Sequence, residues 1–146
     1  MPLSDYLRKN NIMDLINGTN GSSQTYIALS STQPNGDGTG VTEPSGNGYQ
    51  RCNTRYNNMS GQQQYVNNFP SEPTYDSGTG KYSITNVKDI YFYEATGSWG
   101  TLGYFAIYSA ATGGQMLAYG TLTNSISPTA GTIPVIRAGD LTIIEQ

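Results

Sequence analysis

ATGSWGTLGYFAIYSAATGG, residues 95–114, places the only tryptophan of the chain in a run that alternates and then turns. Trp99, Thr101, Gly103, Phe105 and Ile107 share one parity, while Leu102, Tyr104, Ala106 and Tyr108 share the other. Successive side chains of a strand point to opposite faces, so the pattern predicts a strand over 101–109, buried on one face and contacted on the other. The ATGG that follows is a turn, and QMLAYGTLT (115–123) resumes the alternation. Two such runs joined by a short glycine-containing loop form a hairpin.

Working outward, SISPTAGTIPVIRAGDLTIIEQ (125–146) supplies a strand around Ile133–Ile136, a turn at AGD and a closing strand over Leu141–Ile144. Upstream, KYSITNVKDIYFYEA (81–95) puts Tyr82, Ile84, Ile90 and Phe92 on one parity with a break near Lys88, which makes one strand or two short ones. QTYIALS (24–30) begins the strand region, with Tyr26, Ala28 and Ser30 on one face and Ile27 and Leu29 on the other. The expected fold is mainly β, a single β-sandwich or jelly roll of about seven or eight strands.

One N-terminal amphipathic helix precedes it. Leu3, Tyr6, Leu7, Met13 and Ile16 recur at three- and four-residue steps over 3–16, Pro2 and Ser4 can start the helix and Gly18 can stop it. The chain thus divides into a helix at 1–18 and a β-sandwich domain at 19–146. TQPNGDGTGVTEPSGNGYQR (32–51) is nearly all turn formers and predicts a long surface loop or a pair of tight turns. Residues 57–80 are polar, carry two prolines and lack a sustained period, so an irregular surface excursion is expected there.

Composition narrows the chemistry. Charged residues make up 12% of the 146-residue chain and the formal net charge is −3, so no basic stripe is available for a phosphate backbone and nucleic acid is not an expected partner. No run approaches membrane-spanning length, the N-terminus lacks the pattern of a signal peptide, and the chain reads as soluble and assembled in a cytoplasm. Cys52 is the only cysteine, so no internal disulfide can form. With no histidine, neither a Ser-His pair nor a His-based metal site is possible. Asp37, Glu43, Glu72, Asp76, Asp89 and Glu94 could in principle supply a carboxylate pair, but they sit mostly in turns, where acidic residues serve solubility. NGDGTG (35–40) lacks the Lys-Ser/Thr of a phosphate loop and the glutamate of a calcium loop, and reads as a tight turn. No catalytic residue, cofactor or metal is expected.

Tyrosine is more suggestive: there are 12 Tyr against 3 Phe, and a ring with one wet end suits interfaces and sugar platforms as well as the rim of a core. Tyr49, Tyr56, Tyr65, Tyr75 and Trp99 are the candidate aromatic contacts. The helix positions Leu3, Tyr6, Leu7, Met13 and Ile16 are the candidate assembly interface, because a helix of about 14 residues is marginal alone and needs a surface for its apolar stripe. That surface is either the open end of its own sandwich or a neighbouring chain.

Three segments together resemble a family of small phage virion proteins described as tail fibre or head decoration proteins: LSDYLRKNNIMDLINGT (3–19), TYIALSSTQPNGDGTGVTEPSGNGYQR (25–51) and the block from ATGSWG to GDLTI at the C-terminal end. The likeness spans roughly residues 3 to 51 and 95 to 144; residues 52–80 are longer and richer in Gln, Asn and Tyr than the family pattern. The resemblance implies a non-enzymatic virion protein that binds copies of itself, as a trimer, and a larger phage structure such as the major capsid protein or other virion proteins. Size favours a capsid decoration or cement protein over a fibre shaft, since a single globular unit without internal repeat does not span far. A tail, baseplate or fibre-tip component is the alternative, and a carbohydrate-binding module, with the candidate aromatics as stacking platforms, is the third.

Overall fold

The computed structural model describes residues 4–17, 24–57 and 64–144. One helix, α1 (Asp5–Asn17), precedes eleven strands among the described residues: β1 (Tyr26–Ser30), β2 (Cys52–Asn53), β3 (Tyr56–Asn57), β4 (Gln64–Tyr65), β5 (Thr74–Asp76), β6 (Lys81–Thr85), β7 (Ile90–Tyr91), β8 (Leu102–Tyr108), β9 (Met116–Ile126), β10 (Val135–Ile136) and β11 (Thr142–Ile144). The fold is mainly β behind one N-terminal helix, as the alternation predicts. Several strands are two-residue ladders, which raises the count above seven or eight.

The main sheet has the order β2–β1–β8–β9, and β11–β6–β5, β10–β7 and β3–β4 form smaller ones. All pairings are antiparallel. The arrangement is sandwich-like, with one core gathering Ile27, Leu29, Phe105 and Ile107 from the main sheet and Ile84, Ile136 and Ile143 from the smaller ones, but the sheets do not close on each other. Ile27 faces Ile107 and Leu29 faces Phe105 across the β1–β8 ladder, so the parities read from each strand converge on one face. Ala28 and Ala106, directly opposite each other, are buried on the other face with Tyr108. The 31–51 loop folds back over this side: the Ser30 hydroxyl accepts from Thr42 N at 2.9 Å.

Leu102 departs from its expected face. A register shift between Leu102 and Tyr104 inserts extra residues of β9, and this bulge turns Leu102 into the same core as Phe105 despite their opposite parity. In 81–95, Tyr82, Ile84, Ile90 and Phe92 are all buried, and the break near Lys88 is a corner organised by buried Asn86. Its amide donates to Lys88 O (2.9 Å) and Arg137 O (3.0 Å), while its Oδ1 accepts from Leu141 N (3.0 Å). One side chain thereby joins β6 to the segments around β10 and β11.

Of the 57–80 segment expected as an irregular surface excursion, residues 58–63 lie outside the described residues, and the remainder needs correction. Within it, β4 pairs with β3 and β5 pairs with β6, and Asn68 and Phe69 are buried, Phe69 in the main core. A polar stretch without a period still forms ladder where its neighbours present open edges. No helix among the described residues is long and apolar enough to cross a membrane.

Candidate functional site

The helix divides the candidate assembly residues into two groups. Ser4 caps its start, its hydroxyl accepting from Leu7 N at 3.3 Å. Ile16 is buried in the domain core and Met13 packs partly against it. Ile12, buried, and Leu15, partly buried, lie on the same face and are absent from the stripe chosen on spacing. Tyr6 and Leu7 face away, at 74% and 48% exposure. Leu3 and Gly18 lie outside the described residues. Arg8 anchors this half of the helix: its guanidinium donates to Gly80 O and stands 4.9 Å from the centroid of Tyr82. The helix therefore plugs its own domain with its C-terminal half and leaves an apolar pair outward near its N-terminus.

The candidate aromatics also separate. Tyr65 and Tyr75 are exposed, Tyr65 edge-on to half-buried Tyr56 at 5.8 Å and Tyr75 against Tyr82 at 5.0 Å. Trp99, in contrast, is buried, and Tyr49 is partly buried beside it. They meet edge to face at 5.2 Å, and the Trp99 Nε1 donates to Asn47 O at 2.8 Å. At 6% exposure Trp99 offers no ring face to a sugar.

Tyr49 leads into a polar cluster that motif reading does not find. Its hydroxyl accepts from Leu29 N (3.1 Å) and donates to Glu43 Oε1 (2.6 Å). Arg51 forms a two-pronged pair with Glu43 at 3.0 and 2.9 Å and donates to Ala110 O (2.9 Å) and Gly113 O (2.8 Å) in the β8–β9 turn. Its guanidinium also lies 3.7 Å from the Tyr108 ring centroid. A side chain of the loop thus holds the turn of the central hairpin. A cavity of about 290 Å³ beside it is lined by Glu43, Tyr49, Arg51 and residues of that turn.

Burial opposes the charge on Glu43, but the hydrogen bonds from Arg51 and Tyr49 and the Arg51 charge outweigh it, holding the carboxyl below its usual range. Burial, then Glu43, pushes the Tyr49 phenol up, so it stays a donor. Because the folded-state pKa of Glu43 is depressed, its contribution to stability is present above the ordinary carboxylate pKa and is lost as pH falls through the folded value. The denaturant midpoint should therefore fall below about pH 4, with a smaller fall in Glu43→Gln. Equal acid sensitivity of the two proteins in urea melts across pH 2–7 would contradict this assignment.

Two other carboxylates serve local roles. Asp89 pairs with Arg137 at 3.2 Å and accepts from Ala138 N at 2.9 Å, while Asp37 accepts from Thr39 N and Oγ1 at 3.0 and 2.6 Å inside the NGDGTG turn.

A third surface follows β9, the outer strand of the main sheet. A cleft of about 730 Å³ separates it from β11, with Ile12 and Leu15 of α1 contributing to its lining. Leu117, Tyr119 and Ile144 on its margins are large, apolar and exposed. None of the three was singled out by motif, because an alternating strand reads alike at the centre and at the edge of a sheet.

Residues 2–144 match the family described as podophage GP4 fiber I protein gp80. The chain belongs to this family. It is a phage fibre family, and membership makes the chain a structural component of the virion. The small-virion-protein resemblance carried by the helix, the glycine loop and the C-terminal block is thereby supported on its tail-fibre side. No curated protein matches the chain.

Proposed function

We propose that the chain is a non-enzymatic fibre component that works by packing against copies of itself and against other virion proteins. The match over residues 2–144 to a fibre family carries this reading, and the outward Tyr6–Leu7 pair and the open edge of β9 supply surfaces for it. Capsid decoration, favoured by the small size of the chain, is the competing location. Family membership weighs for the fibre.

Antibody labelling of intact particles separates the two. Signal confined to fibres or tail is the expected result, and signal over the faceted shell at hundreds of copies per particle would overturn it. In the same particles, Leu7→Asp should reduce incorporation while changing the stability of the isolated protein by no more than about 0.5 kcal/mol, as exposed positions do.

A further inference from the structure

We propose that the outer edge of β9 is a self-association site at which a second copy adds its own β9, antiparallel, across a twofold axis. Among the described residues β9 is the longest strand, with 11 residues, and its only ladder is with β8. On its other side the links to the 137–141 turn come late in the strand: Thr123 N donates to Asp140 O at 2.9 Å, and Asn124 Nδ2 donates to the Asp140 carboxylate at 3.1 and 3.2 Å. Before that point the cleft is lined by every residue of 116–121 and of 142–144. A hollow over one face of a strand touches alternate residues. One touched by both parities runs along the edge, where backbone N–H and C=O groups are offered to an incoming strand.

Natural edges are guarded by lysine, proline, inward charges or bulges. MLAYGTLTNSI has no charge and no proline. It does have register irregularities, which bracket Ala118–Thr121 and leave those four residues in regular pairing with β8. That window is the docking strand. Tyr119, 45% exposed, shares a face with Thr121, while Ala118 and Gly120 share the face of Ile107 and Phe105.

Charge selects the occupant. The chain carries a net −3, yet none of the described residues that line the cleft is charged, so two acidic copies can meet here without like charges from those residues facing each other, and a partner chosen by charge finds nothing among them to pair with. A twofold through Tyr119 places its ring opposite its copy and sets Ala118 against Gly120 of the partner. The first is a favourable cross-strand aromatic pair, and the second leaves the backbones free to close.

The choice of a copy of the same chain as occupant rests on the assembly role proposed above, but the test needs no particle. Failure here leaves the fibre location standing, and labelling off the fibre leaves the dimer standing. Light scattering of the purified chain should give a concentration-dependent dimer, and Tyr119→Lys should weaken it by at least about tenfold through like charges meeting on the axis. In case that variant does not fold, Tyr119→Cys should form a reducible covalent dimer under mild oxidation, whereas Ala130→Cys, exposed and off the edge, and the wild type, whose Cys52 is buried, should not. A wild type that remains monomeric at the highest concentration, a threefold oligomer, a folded Tyr119→Lys with unchanged association, or no selective cross-link at position 119 would each overturn the proposal.

Discussion

Replacing Arg51 with methionine is expected to cost about 2–3 kcal/mol, less than the about 3–5 kcal/mol typical of breaking a fully buried ion pair, because the Glu43 left behind keeps a quarter of its side chain in solvent. The Arg51 side chain is 8% exposed and that of Glu43 26%, and Glu43 would keep the Tyr49 hydroxyl as a hydrogen-bond partner. The same substitution frees the carbonyls of Ala110 and Gly113 at the β8–β9 turn and removes the cation from the Tyr108 ring. Methionine keeps much of the volume, so the loss is electrostatic rather than steric. Denaturant unfolding of Arg51→Met, Glu43→Leu and the double variant measures it. The double variant should recover part of the single loss, because no partly buried charge is left without its partner. A single-variant cost below about 1 kcal/mol would show that the pair behaves as a surface salt bridge.

Phe105→Ala is expected to destabilise by about 3–5 kcal/mol, the range for emptying a buried aromatic site. Phe105 is fully buried at the centre of the main sheet, between Leu29 on β1 and Gly120 on β9. Gly120 has no side chain because the ring occupies that space: a Cβ there would stand 2.8 and 2.9 Å from two ring carbons. Gly120→Ala should thus cost about 1–3 kcal/mol by overpacking. Combined with Phe105→Leu it should cost less than in the wild-type background, since the contact that produces the clash is gone. Additive losses in this cycle would mean that the glycine is required by the backbone instead.

The resemblance to virion proteins was legible in the helix, the glycine loop and the C-terminal block, yet the fibre family had to come from a match over nearly the whole chain. Chain size pointed toward a shell protein because it weighs only how far one unit can reach. A fibre component need not span the fibre. Of the candidate residues, Tyr6 and Leu7 are exposed, whereas Ile16 and Trp99 are buried in the core of the domain and Tyr49 packs partly against it. A three- or four-residue step identifies an apolar residue on a helix but says little about what covers it.

The amino-acid sequence by itself determined the local elements: the parity of Ile27 and Leu29, of Tyr82 and Ile84, and of Phe105 and Ile107, the hairpin between β8 and β9, and one N-terminal helix. Each is legible because side-chain alternation, capping and glycine turns act over a few neighbouring residues. Tertiary structure alone decided that Arg51 would reach a turn 59 and 62 residues away, that Asn86 would tie β6 to residues 51 to 55 positions downstream, and that β9 would lie at the rim of its sheet while β8 lies inside. Strand order and charge pairing join residues distant along the chain, and the partner that sets the energy of such a contact leaves no periodic mark on the residue that makes it.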